Sequence, residues 1–136
     1  METKIESRIG QLNCNDESIY TFISNFNNFK QFVPADKIRD FESTEDSCRF
    51  GVPNIGKVGL RIIERDPFKT IKVTGDGMAN QQFVLWIQLK QVADLDTRVK
   101  VTIKADLNPM LKMMAQKPLQ NFVDKLVEAM EKIKFQ

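Results

Sequence analysis

The sequence predicts an α+β domain in which one antiparallel sheet curls around a long C-terminal helix. Three observations carry this. Residues 37–107 alternate apolar and polar positions between short turn signals, the period of half-buried strands. Residues 108–130, "NPMLKMMAQKPLQNFVDKLVEAM", carry an apolar stripe at helical spacing. Between a first strand and the others, "NDESIYTFISNFNNFKQFVP" reads as two short helices.

Taken in order, residues 3–12 place Ile5, Ser7 and Ile9 on one face and Lys4, Glu6 and Arg8 on the other, as a half-buried strand does. Asn15 is a helix cap with Asp16 and Glu17 behind it, and Ile19, Phe22, Ile23 and Phe26 form one stripe. Asn27 and Asn28 interrupt the stripe, and a second short helix follows until Pro34 ends it. Turn chemistry at 45–46, 53–56, 65–68, 75–77 and 94–96 separates the strands. Alternation puts Cys48, Phe50 and Val52 inside, then Val58, Leu60 and Ile62, then Ile71 and Val73. Phe83, Leu85, Ile87 and Leu89 follow, and then Val99, Val101, Ile103 and Ala105. Near residues 38–43 the register is ambiguous, because Ile38 and Phe41 have opposite parity.

Asn108 and Pro109 start the last helix as cap and first helical residue. Its predicted sheet-facing arc is Leu111, Ala115, Leu119, Phe122, Leu126, Met130 and Ile133. Pro118 sits inside it with no capping residue upstream, so one kinked helix is expected rather than two. An ideal wheel puts Met110, Met113 and Met114 on the polar side. A kink at Pro118 is expected to turn Met110 and Met114 inward, either as the movable wall of a cavity, where flexible thioethers adapt to what enters, or as plain core filler.

Composition narrows the function. The 136 residues are the size of one domain, 1–136, with 20 Lys and Arg against 18 Asp and Glu. That balance, +2, argues against nucleic acid as the partner. Histidine, the commonest metal ligand and neutral-pH base, is absent. Ten phenylalanines against one tyrosine and one tryptophan indicate a large core with few polar handles. Cys14 and Cys48 are isolated and read as reduced core thiols. No stretch nears the ~20 apolar residues that span a bilayer, and "METKIESRIG" lacks a signal-peptide run, so a cytoplasmic protein is expected.

No metal and no cofactor are assigned, because neither spaced acids nor a phosphate loop accompanies the two cysteines. No catalytic residue is assigned either. Cys48 lacks a base, Glu64 has inward parity as the one polar candidate for a cavity, and Tyr20 lies off its helix stripe as a surface tyrosine. The opposite sheet face gathers Lys57, Arg61, Arg65, Lys72, Lys90, Arg98, Lys100 and Lys104 around Trp86. Arg61 and Lys72 are expected to oppose one another. Such a face could stack single-stranded nucleic acid, meet an acidic protein or anchor a homodimer through Trp86. Lysines on solvent-facing strands also serve as a guard against association.

On the stretches "ESIYTFISNFNNFKQFVP", "FVLWIQL" and "NPMLKMMAQKPLQNFVDKLVEAM" the whole chain resembles the START-like helix-grip superfamily, also called SRPBCC, and its small bacterial members most. That superfamily includes lipid-transfer domains, birch-pollen-allergen relatives, and polyketide cyclases and aromatases. The resemblance implies a seven-stranded antiparallel sheet gripping the long helix over an apolar cavity. The leading expectation is therefore binding or transport of a small lipid-like or polycyclic molecule. Phe50, Leu60, Ile62, Val73, Phe83, Leu85 and Ile87 would line the cavity from the sheet, Phe29 and Phe32 from the second short helix, and Met110 and Met114 from the long one. A cyclase-like, aromatase-like or hydrolase-like enzyme is the alternative the resemblance permits. An interaction module using Arg61, Lys72, Trp86, Lys100 and Lys104 is the third.

Overall fold

The computed structural model describes residues 2–31, 39–52, 56–75 and 83–133. Strands β1 (Glu2–Glu6) and β2 (Gly10–Leu12) lead into helix α1 (Asp16–Ile23) and a 3-10 helix at Phe26–Gln31. Strands β3 (Arg39–Ser43), β4 (Ser47–Val52), β5 (Gly56–Asp66), β6 (Thr70–Gly75), β7 (Phe83–Ala93) and β8 (Asp96–Asp106) follow, and then helix α2 (Pro109–Lys132). One antiparallel sheet runs in the order β1-β8-β7-β6-β5-β4-β3, with β2 also paired to β8.

The central strands obey the alternation. Ile71 and Val73, then Leu85, Ile87 and Leu89, then Val99, Val101, Ile103 and Ala105 are all buried on one face. Register brings them together: Val73 opposes Leu85, which opposes Ile103. At about 25 cal/mol per Å² of apolar surface removed from water, such rows supply the main drive to fold. α1 starts as predicted, the Asn15 side chain accepting from the Ser18 N–H at 2.8 Å. Ile19, Ile23 and Phe26 seal against the sheet.

Two predicted elements differ. The first strand is broken, because between Glu6 opposite Thr102 and Gly10 opposite Val99 it carries one residue more than β8. Ile9, predicted inward, is 65% exposed, and Gly10 takes the inward place. Ser7 holds the break. Its N–H donates to the Val101 carbonyl at 2.8 Å, and its hydroxyl accepts from the Val101 N–H at 2.9 Å. The second difference is the predicted second short helix, which is the 3-10 helix. There asparagines bond locally, as residues of this type do in competition with a regular helix. Asn28 Nδ2 donates to the Phe22 carbonyl at 2.9 Å, and Asn25 Oδ1 accepts from the Asn27 N–H at 2.9 Å.

α2 is one unbroken helix starting at Pro109, with Pro118 inside. Among its described side chains it buries Val123, Val127 and Met130, against β1, β2 and β8, while the side chains of Leu111 and Ala115 lie outside those described. The predicted arc is thus correct at Met130 but misses both valines. Leu119, Leu126 and Ile133 are half-buried at its flank. The C-terminal half is clamped to the break between β1 and β2. Arg8 pairs through its guanidinium with the Glu131 carboxylate, Asp124 Oδ1 accepts from the Arg8 N–H at 2.9 Å, and Gln120 Nε2 donates to the Glu6 carbonyl at 2.8 Å. The hydrogen bond from Arg8 holds the Glu131 carboxyl below its ordinary range. Pro118 lies ahead of this clamp on an exposed turn and cannot donate to the Met114 carbonyl. Pro118→Ala is expected to stabilise the protein by about 1–2 kcal/mol, within the ~3 kcal/mol that separates proline from alanine in a helix interior. Thermal unfolding measures it, and a loss of stability would mean that the proline packs productively.

Candidate functional site

The inner faces of β4 to β7, the 3-10 helix and one flank of α2 enclose a recess walled by apolar side chains. Leu60, Val73, Leu85 and Ile87 rise from the sheet beside Cys48 and Phe50. Phe26 and Phe29 close one side, Phe41 another, and Phe122 and Leu126 of α2 form the roof. The rings are organised: Phe26 and Phe29 meet edge to face at 4.6 Å between centroids, and Phe41 and Phe50 lie nearly parallel at 6.2 Å. The cavity volume is ≈ 40 Å³, room for a few waters at the ~10–15 Å³ each requires. Phe122, 42% exposed, stands where the wall meets solvent.

Of the residues expected to line a cavity, Phe29, Phe50, Leu60, Val73, Leu85 and Ile87 come together here. Ile62 and Phe83 belong to the surrounding core. Phe32 lies outside the described residues. Met110 and Met114 are not in the wall, being 72% and 69% exposed. On a helix of regular pitch they project away from the face that carries Val123, Val127 and Met130, in keeping with their exposure. Phe26, Phe41, Phe122 and Leu126 were missed. Phe26 could have been found from its place in the stripe of α1, but Phe41 sits in a strand whose register shifts between Arg39 and Glu42, with Asp40 at φ 54°.

Glu64 is not a cavity group. Ile63 is an extra residue in β5 between Ile62, opposite Val73, and Glu64, opposite Lys72. The insertion reverses parity, so Glu64 is exposed. It also carries Arg65 off the outer face to bond Asp46 Oδ1 at 2.6 Å and the Ser24 carbonyl at 2.9 Å. Among the described residues the one titratable group in the wall is the Cys48 thiol, which burial pushes up to about 12. It stays protonated at neutral pH and is a poor nucleophile. Tyr20 is half-buried, its ring edge-on to Phe68 at 5.7 Å.

The outer face is less basic than its lysines and arginines suggest, because β1 and the start of β8 supply acids. Lys100 Nζ lies 2.7 Å from Glu6 Oε2 and Lys104 3.8 Å from Glu2, both of β1, and Arg98 lies 3.1 Å from Asp96 of β8. Lys72 opposes Trp86, and the ammoniums of Lys72 and Lys104 each stand 5.7 Å from the indole centroid. Arg61 opposes Thr74 rather than Lys72, because the hairpin pairs Asp66 with Thr70 and so sets Glu64 opposite Lys72.

Comparison with known proteins gives a consistent class. No family model matches the chain, and no curated protein matches it. Solved structures do. Norcoclaurine synthase from Thalictrum flavum in complex with dopamine and hydroxybenzaldehyde is similar over 100% of this chain and 90% of its own, at TM-score 0.71 and 12% identity. A START superfamily protein from Mycobacterium smegmatis is similar over 94% of each chain, at TM-score 0.68 and 14% identity. The Aha1 dimer from Colwellia psychrerythraea is similar over 90% of this chain and 96% of its own, at TM-score 0.61 and 15% identity. The chain has the START-like helix-grip fold. No helix among the described residues is long and apolar enough to cross a membrane.

Proposed function

We propose that this protein binds a small, uncharged apolar molecule between the sheet and α2. One observation carries the reading: a recess opening to solvent whose described wall residues are phenylalanine and aliphatic side chains, with a single protonated thiol among them. Buried apolar area supplies the affinity. An ionised headgroup placed in that wall would lose water and gain no partner, a cost of several kcal/mol. The ligand is therefore a neutral polycyclic molecule, or a lipid whose headgroup remains outside. The resting cavity is smaller than such a molecule, so Phe122 and its neighbours give way as it enters. The norcoclaurine synthase likeness brings a fold that in that protein holds dopamine and hydroxybenzaldehyde. Catalysis is the weaker reading here because the described residues of the wall offer no acid or base active near neutral pH.

Gentle purification from the protein's own source followed by native mass spectrometry should reveal an apolar molecule of fixed mass. Organic extraction should remove it. Preparations that are repeatedly empty, from protein shown to be folded, would count against the binding reading.

A further inference from the structure

Half of the chain's six methionines lie within five residues, at Met110, Met113 and Met114. They are 72%, 83% and 69% exposed on the outward side of α2, away from the cavity and the core. We infer that these three thioethers form a binding site for a soft monovalent metal ion, Cu(I) or Ag(I). The spacing i, i+3, i+4 places Met110 next to both partners on one helix face, with Cβ atoms about 5–6 Å apart. Each side chain has three rotatable bonds, enough for the sulfurs to converge on one ion from positions that packing does not constrain. Neutral thioether sulfur is a soft donor and selects Cu(I) over hard divalent cations. The setting reinforces that choice, because no Asp or Glu occurs between Asp106 and Asp124 to attract Mg²⁺ or Ca²⁺. Lys117, one turn on and exposed, opposes any cation by charge, so sulfur coordination alone supplies the affinity.

The test uses the full chain with Ag(I), which needs no reductant. Native mass spectrometry should show one Ag(I) per chain, and the ε-methyl NMR signals of Met110, Met113 and Met114 should shift while that of Met130, buried in the core, stays in place. Leucine at these positions keeps the helix and the apolar surface while removing sulfur. Met113→Leu with Met114→Leu should weaken binding at least tenfold, and the triple variant with Met110→Leu should abolish it. Two results overturn the proposal: no Ag(I) bound by the native chain, or binding that survives in the triple leucine variant. Binding lost instead in Cys14→Ala with Cys48→Ala would assign the metal to the thiols.

Discussion

Phe26→Ala is expected to lower stability by about 3–5 kcal/mol, the range for deleting a fully buried aromatic ring. Phe26 is 0% exposed, packs edge-on to Phe29, and anchors the 3-10 helix through its N–H to the Glu45 carbonyl at 2.9 Å. It is also part of the cavity wall, so its removal enlarges the space that a ligand would occupy. A neutral apolar dye such as N-phenyl-1-naphthylamine should then recover part of the loss, because a molecule that binds only the folded state stabilises it by mass action. Urea unfolding with and without the dye measures both effects. A loss below about 1 kcal/mol would contradict the packing assigned to this ring.

The second large effect is expected at Gly10. A Cβ at this position would lie 2.5 Å from Val127 Cγ1 and 3.0 Å from Val99 Cγ1, so only glycine lets α2 approach the sheet this closely. Gly10→Val should destabilise by about 3 kcal/mol, the upper end of overpacking costs. Gly10→Ala should cost less. Adding Val127→Ala to Gly10→Val should relieve part of the clash, giving a coupling that two independent sites would not show. If the double variant is no better than the sum of its parts, the contact is not what limits the approach.

The residues that were legible in the sequence are those whose environment repeats. β6, β7 up to Leu89 and β8 from Val99 keep one inward parity, and Ile71, Val73, Leu85, Ile87, Leu89, Val99, Val101, Ile103 and Ala105 are buried as read. Asn15 and Pro109 mark helix starts by local chemistry alone. What was lost follows from single inserted residues. The break after Ser7 and the extra Ile63 each reverse parity, exposing Ile9 and moving Glu64 out of the interior. Nothing in the local pattern announces either, because a bulge is decided by pairing with the neighbouring strand. α2 was misphased for a related reason. Its apolar surface has two parts, with Val123, Val127 and Met130 on the sheet and Leu119, Phe122 and Leu126 on the adjoining flank. A single stripe drawn through the larger side chains follows the second part. The basic outer face was overestimated because the neutralising Glu2 and Glu6 come from a strand distant in sequence but adjacent to β8.

The central claim is that apolar molecules bind inside this recess rather than on the surface. Titration of N-phenyl-1-naphthylamine against the native chain and against two variants that narrow the recess, Val73→Phe and Leu60→Phe, tests it most directly. Both positions are in the wall, and circular dichroism with thermal unfolding establishes that each variant is folded. One dye is expected to bind the native chain saturably, with affinity weakened at least tenfold in both folded variants. Equal affinity in all three, or no saturable binding to the native chain, would contradict it.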